Sequence, residues 1–466
     1  MRELGVGLVY WSALAPLFES GDAAVLELEP HTLWTKTAAS SGFVYQLNES
    51  LFESIARLPQ PKLLHGVGQP LAGTVDDPLE YIPLLRRMAD RLQPAWVSEH
   101  LSFNRIRRRG RISECGFLLP PAQTAGSARV AANNVRRYAR AMGRPVAFET
   151  GVNYFRPQTA HLEDGEFFGT VAEQADCGIL LDLHNLWCNE RNGRQLVRDA
   201  LRQMPLERVW EVHLAGGMSL DGVWLDAHSN STPPELLDLA AEVIPRLPNV
   251  GALVFEILPE HLHNIGIDGV HRELEALKGI WRTRLPRTIK VRKSSREAIA
   301  PSVADTAETH AWEQRLFEAL NGESTDPLAA DPGCAVMAQL IRDVRSASLT
   351  RGMRYTITAL LAGLGAEATS ELLSSYFRSA PAETFVATES YNFARFFSRR
   401  PDLIAAVPYL DQILAFEKAL LAASLFGEST ELRWTADPTL LFETLDTGRL
   451  PKGLALLPSQ MNVTPA

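Results

Sequence analysis

The sequence predicts an α/β fold: a (β/α)8 barrel followed by a mostly α-helical second domain that ends in a short β-α-β element. Three observations lead there. Eight short apolar, β-branched runs recur up to residue 257, each followed by loop residues and then by helically spaced apolar positions. No GxGxxG or Walker-type loop follows any run, so the nucleotide-binding doubly wound sheets, which share this alternation, lack their signature here. After Trp281 the alternation stops and a helical period takes over.

In order, the runs are GVGLVY (5–10), AVLELEP (24–30), KLLHGVG (62–68), AWVSEHL (95–101), PVAFETG (145–151), GILLDLHNL (178–186), RVWEVHLAGG (208–217) and ALVFEI (252–257). Between them lie amphipathic stretches such as DPLEYIPLLRRMADRLQ (77–93) and SARVAANNVRRYARAMG (127–143), the latter ending in a glycine suited to a helix C-cap. Eight strand–helix units in about 280 residues match a barrel that typically takes about 250. The first domain is therefore set at residues 1–283.

Residues 282–296, RTRLPRTIKVRKSSR, hold seven basic side chains and no acid, and the APSVADTAET after them is small and polar. This composition reads as a linker over 284–310, with a docking segment for an acidic partner as the alternative. From 311 the spacing is helical through AWEQRLFEALN, CAVMAQLIRDVRSASL, RGMRYTITALLAGLG, TSELLSSYFRS, NFARFFSRR and the long DLIAAVPYLDQILAFEKALLAASLF. TELRWTADPTLLFETLDTGRLPKGLALLPS (430–459) reads as strand, helix, strand, and the second domain spans 311–466.

A chain of 466 residues with 46% hydrophobic and 22% charged side chains is globular rather than disordered, and too long for one core. No apolar run is long enough for a membrane span, and acids flank the short apolar run at the start, so a cytoplasmic chain is expected, with no membrane partner. The net charge of −9 disfavours a nucleic-acid partner. Cys115, Cys177, Cys188 and Cys334 form no CxxC pair, which leaves neither a disulfide framework nor a thiolate zinc site. Ten of the eleven histidines precede residue 283.

Side chains two apart on a strand share a face. That rule pairs Glu27 with Glu29, Asp182 with His184 and Glu211 with His213, and Asp226 and His228 follow in the next loop. His65, Glu99 with His100, Glu149 with Asn153 just beyond, and Glu256 end the other runs. All fall at C-terminal strand ends, where barrel active sites are built. One buried histidine or glutamate is ordinarily satisfied by a loop amide or an arginine. So many in one mouth would repel each other and resist desolvation unless cations neutralised them. Imidazole, carboxylate and carboxamide donors without thiolate suit iron, manganese or zinc, and about ten donors exceed the needs of one ion, so two or three ions are expected.

The ordered series LHGVG, SEHLSFN, FETGVNYF, LDLHNL, EVHLAGG, LDAHSN and FEI, over about residues 4–265, resembles the multinuclear non-haem iron-dependent oxidative enzymes typified by the methanobactin-biosynthesis oxidase. The resemblance implies a barrel holding two or three irons of mixed Fe(II)/Fe(III) state and using O2 as co-substrate. The reaction it implies is a four-electron oxidation or rearrangement of a cysteine or other residue of a ribosomally made precursor peptide. The metal ligands it implies are His65, Glu99, His100, Glu149, Asn153, Asp182, His184, His213, Asp226, His228 and Glu256, with Glu211 either a ligand or the group that orients His213. His65, Asp182, His184 and His213 are its catalytic candidates. Where the family pattern expects Glu-Asn and an aromatic, this chain has Glu29, Pro30 and His31, so Glu29 and His31 join His261 and His263 as candidates for touching substrate.

The second domain is similar to the separate partner proteins of these oxidases, on the strength of SELLSSYFRSAPAETF, FARFFSRRPDL, LDQILAFEKAL and the terminal ELRW…LFETLDTG…LALL. This implies a holder of the peptide leader fused to its catalyst, which raises the effective peptide concentration at the site. A helical lid or oligomerisation domain is the other reading, and the oligomeric state is open. The competing activity is that of a divalent-metal barrel hydrolase or sugar isomerase, endonuclease-like or xylose-isomerase-like. Two features weigh against it: the net charge of −9, and the absence of any lysine between Lys62 and Lys278. A metal-storing or peptide-carrying protein would explain the ligands but not an open barrel mouth.

Overall fold

The computed structural model of this chain describes residues 2–39, 42–75, 81–158, 160–284, 299–451 and 453–465. Most of the expected linker, 285–298, lies outside them. The chain divides into two compact units, Met1–Trp34, Leu47–Arg108 and Leu118–Val336 forming the first, Thr35–Gln46, Arg109–Phe117 and Met337–Ala466 the second.

The first unit is a closed parallel barrel. Its strands are β1 (Gly5–Val9), β2 (Val25–Leu28), β5 (Lys62–Gly66), β6 (Val97–His100), β9 (Val146–Glu149), β10 (Gly178–Asp182), β11 (Val209–Leu220) and β13 (Ala252–Glu256). Hydrogen bonding follows that order, and β13 closes on β1. Hairpins leave it at β3–β4 (Trp34–Ala39, Gly42–Leu47), β7–β8 (Phe103–Arg108, Arg111–Leu119) and where β12 (Val223–Asn230) folds back on β11. Around and between the strands run α1 (Ala15–Glu19), α2 (Glu49–Ala56), α3 (Ile82–Leu92), α4 (Ala125–Met142), α5 (Asp164–Ala175), α6 (Leu183–Arg191), α7 (Val197–Gln203), α8 (Pro234–Val243) and α9 (Leu262–Arg282). As the sequence indicated, α4 ends in Gly143, at φ 64°.

Strand interiors are buried on both faces, which is why they read as near-continuous apolar runs. Val25, Leu63, Ala147, Leu180 and Val254 belong to one buried cluster, and each lies two residues before Glu27, His65, Glu149, Asp182 or Glu256. Because side chains two apart share a face, an apolar layer floors a polar one. Strand register levels that polar layer: His65 stands opposite Ser98, His100 opposite Glu149, and Asp182 opposite His213.

The second domain was set to begin at 311, but α10 (Val303–Leu320) belongs with the barrel. Its indole Trp312 donates to Pro120 O at 3.0 Å, Arg129 donates to Asp305 at 2.8 Å, and Thr74 N donates to Glu313 at 2.6 Å. Ser302 and Asp305 close a capping box at its start.

The second unit contains most of α11 (Pro332–Gly352) and all of α12 (Arg354–Leu364), α13 (Ala366–Ser379), α14 (Val386–Phe397), α15 (Pro401–Ala406), α16 (Leu410–Phe426) and α17 (Pro438–Asp446). It also contains an antiparallel pair, β14 (Thr430–Ala436) and β15 (Leu456–Val463), besides Thr35–Gln46 and Arg109–Phe117. The run expected as one long helix breaks between α15 and α16. Pro408 cannot continue a helical hydrogen-bond ladder, and Val407 before it is extended while Tyr409 after it is left-handed at φ 63°. Buried Glu417 accepts from Tyr355 N and Thr356 N, both at 2.8 Å, and so satisfies the start of α12. No helix among the described residues is long and apolar enough to cross a membrane.

Gly7 tests barrel closure, since a Cβ there would lie 1.9 Å from Val25 O. Gly7→Ala is expected to cost about 1–3 kcal/mol in denaturant unfolding, and a neutral change would contradict this packing.

Candidate metal centre

Trp96, just before β6, and Ser98 and His100 on it fall at spacing two. All three are engaged: Trp96 Nε1 donates to Glu211 Oε2 at 2.7 Å, Ser98 Oγ lies 3.0 Å from His65 Nδ1, and His100 Nδ1 lies 2.8 Å from Glu149 Oε2. His65 Nε2 is 3.2 Å from the same Glu149 oxygen, so His65, His100 and Glu149 form a first donor triad. Glu149, Asp182 and His213 form a second, Asp182, His228 and Glu256 a third, and His184, Asp226 and His228 a fourth. Successive triads share Glu149, then Asp182, then His228.

Two of these placements differ from the sequence expectation. β10 ends at Asp182, which caps α6 through a 2.6 Å hydrogen bond from Asn185 N, so His184 projects from the first helical turn. Asp226 and His228 lie on β12 rather than in a loop. His184 Nδ1 and His228 Nε2 are each 2.9 Å from Asp226 Oδ1. His228 is held at φ 43°, a left-handed conformation that costs about 1–2 kcal/mol and is retained at a donor position. The two glycines of EVHLAGG let β11 approach β12: a Cβ at Gly216 would lie 2.1 Å from Asn230 O, and one at Gly217 2.2 Å from Leu225 O and 2.9 Å from His184 Nε2.

Glu211 falls in a lower set with Glu27 and His213, all fully buried. Glu27 Oε2 is 2.9 Å from His213 Nε2, against 3.8 Å for Glu211 Oε1, while Glu256 Oε2 stands 3.2 Å from the opposite ring nitrogen. Glu27 thus holds the place beside His213 that the resemblance offered to Glu211. Its shared face with Glu29 had singled it out only as one of a pair, and Ser98 and Trp96 were legible only as alternation in AWVSEHL.

Glu99 and Asn153 join no triad. Glu99 accepts from His100 N and Gln69 N, both at 3.1 Å, and Asn153 Oδ1 accepts from Phe155 N at 3.0 Å. Gly66 makes room for Glu99, whose Oε2 would lie 2.2 Å from a Cβ there. His263 is exposed, with Nδ1 2.8 Å from Glu260 O, and His261 is partly exposed in the turn before it; neither belongs to a triad. Glu29 and His31 stand together, 3.6 Å apart, where the charges of Glu256, His100, His228 and His65 reach them.

The electrostatics show a site short of positive charge. Burial, with Glu149, Asp226 and Glu256 nearby, lifts Asp182 well above the usual carboxylate range. Burial and Glu256 raise Glu29 to about 7. Burial works against the cation of His100, but Glu149, with Glu99 and Glu256, outweighs it and holds the ring at about 9. Burial would raise Glu149 as well, yet His100 and His65 keep it well below normal. Glu149 Oε2, Asp182 Oδ2, Glu256 Oε2, His213 Nδ1 and His228 Nε2 are buried without a hydrogen-bond partner. Oxygen and imidazole donors, converging and unpaired, fit metal cations.

Protons and metal must compete for these atoms. Apparent affinity for a divalent cation is expected to climb with pH up to about 9, where His100 loses its proton. Calorimetry in buffers of different ionisation enthalpy should read net proton release, and pH-independent binding would remove these side chains from the site.

Residues 23–258 match the family of RiPP precursor modification enzymes MbnB/TglH/ChrH. The chain is 30% identical over 233 residues to a UPF0276 protein of Anaeromyxobacter sp. strain Fw109-5, covering 49% of this chain and 80% of that one. A UPF0276 protein of Chromobacterium violaceum is also 30% identical, over 48% of this chain and 79% of its own. Among solved structures, it is similar to D-psicose 3-epimerase crystallised with D-fructose, at 12% identity, TM-score 0.36, 60% of this chain and 97% of that one. A Thermus thermophilus protein soaked with ZnCl2 compares at 18% identity, TM-score 0.36, 59% of this chain and 98% of that one. By its match over residues 23–258, the chain belongs to the RiPP precursor modification enzymes of the MbnB/TglH/ChrH family, and is a peptide-modifying enzyme.

Proposed function

We propose that this enzyme is an iron-dependent oxidase that uses O2 for a four-electron oxidation or rearrangement of a cysteine or other residue in a ribosomally made precursor peptide. One observation carries the proposal: the donor triads overlap through Glu149, Asp182 and His228 at the open end of the barrel, offering more donors than one ion can use. Iron held there would supply redox chemistry with dioxygen and a Lewis acid for a substrate thiolate.

The chain's own side chains do the rest. Glu149 and Asp182, each common to two triads, would be among the residues that hold the cations. Ser98 at Nδ1 of His65 leaves Nε2 facing Glu149, and Glu27 and Glu256 stand 2.9 and 3.2 Å from the two ring nitrogens of His213. Glu29, near 7, can take or return a substrate proton at its carboxylate. Pro30, Trp34, Val67, Tyr81 and Leu85 form a largely apolar wall beside His31 and Glu99 that keeps water off the site.

The test is anaerobic purification with metal quantification, then aerobic incubation with the cysteine-containing peptide encoded beside the gene. Iron, O2 uptake and a changed peptide mass are expected. Asp182→Ala should lower iron content and cut turnover by more than the 10–100-fold typical of losing a group one shell further out. Zinc alone, with no O2 uptake and no mass change, would overturn the oxidase in favour of a hydrolase or isomerase.

The second unit is proposed to hold the leader of that peptide. Its support is a cavity of about 400 Å3 between α14, α16 and β14, lined by Tyr391, Leu414, Ala415, Lys418 and Leu432. Ala415 is on the exposed side of α16, so Ala415→Trp should fill the cavity without unfolding the unit. Peptide affinity is expected to fall about tenfold, or 1.4 kcal/mol, with iron content unchanged. Unaltered affinity would assign the unit another role.

A further inference from the structure

Beyond the triads, α6 carries a feature that the metal chemistry does not use. Arg191 lies seven residues after His184, two turns and about 10 Å along the same helical face. Its guanidinium carbon sits 4.7 Å from the centre of the Trp187 ring and 5.1 Å from that of Trp224. The two indoles meet at 5.1 Å and 85°, and the N–H of Trp224 lies 3.3 Å from His184 Nε2. A rigid ladder of rings therefore joins the guanidinium to a member of the fourth triad.

Among the described residues no carboxylate lies within 4.0 Å of Arg191, in a chain whose acids outnumber its lysines and arginines 55 to 46. Its neighbour Glu190 is occupied by Val197 N at 2.7 Å. Arg191 is exposed, with its guanidinium over two aromatic rings. A planar fork held in place and unpaired is suited to a carboxylate, which it can grip through two parallel hydrogen bonds.

We propose that Arg191 binds a carboxylate of the peptide substrate, either an acidic side chain or the C-terminus, about three residues from the residue presented to the metals. Three extended residues span about 10 Å, the separation of Arg191 from His184 along α6. This inference rests on the peptide-modifying reading and adds a specificity-determining position to it.

The test uses metal-loaded enzyme, kept anaerobic, and three synthetic peptides: acetyl-Cys-Gly-Gly-Glu-amide, acetyl-Cys-Gly-Gly-Gly with a free C-terminus, and acetyl-Cys-Gly-Gly-Gln-amide. At least one carboxylate peptide should bind about tenfold more tightly than the glutamine peptide, and which one does identifies the source of the carboxylate. The preference should vanish in Arg191→Gln and partly survive in Arg191→Lys, with metal content and melting temperature unchanged in both. Equal binding of all three, including none at millimolar concentration, overturns the proposal, as does a preference that persists in Arg191→Gln. Admitting O2 separates the two readings. Peptides held through Arg191 but never oxidised would sink the oxidase alone, whereas oxidised peptides bound without regard to charge would sink only the Arg191 site.

Discussion

Anionic donors crowded at the mouth of the barrel are the constraint on which the rest of this structure depends. Glu27, Glu149, Asp182, Glu211 and Glu256 are all buried, together with three almost fully buried histidines, His65, His184 and His213. Carboxylates in such a place cost several kcal/mol each unless protons or cations meet them. Pairing with imidazole neutralises part of the charge, and the upward displacement of Asp182 and Glu27 marks the part left over. Metal cations would offset the remainder, and they would also return the histidines to their neutral, ligating form.

The scaffold answers to that constraint. The apolar layer of Val25, Leu63, Ala147, Leu180 and Val254 seals the barrel below the donors and gives each a fixed strand to stand on. Register then decides which donors meet, as where His100 stands opposite Glu149. Above the barrel, the β11–β12 hairpin reaches over with Asp226 and His228. That hairpin tolerates a left-handed histidine and needs two glycines to come close enough. Local strain at these positions is the cost of convergence.

Much of the site was legible because barrel chemistry concentrates at C-terminal strand ends and a strand repeats every two residues. His65, His100, Glu149, Asp182, His213 and Glu256 follow from that rule alone. Glu99 and Asn153 were equally legible but join no donor triad, and their side-chain oxygens accept from backbone amides, of His100 and Gln69 for Glu99 and of Phe155 for Asn153. Glu27 was visible as one of a pair but not as a partner of His213, because its contact crosses from β2 to β11, strands separated in the barrel by β1 and β13. Helix α10 lacked any local sign that it packs on the barrel; Trp312, Asp305 and Glu313 are ordinary helical residues until Pro120, Arg129 and Thr74 come beside them.

By itself the sequence determined the alternation of strands and helices, the apolar cores of the strands, the end of the barrel that carries chemistry, and the donor types available there. These are local properties, set by periodicity and side-chain chemistry. Tertiary structure decided which donors converge, that His184 enters from a helix and His228 from a hairpin strand, which glutamate stands nearest His213, and that Arg191 lies over two tryptophans. Each of these depends on distances between segments far apart in the chain, and such distances are set only when the barrel closes.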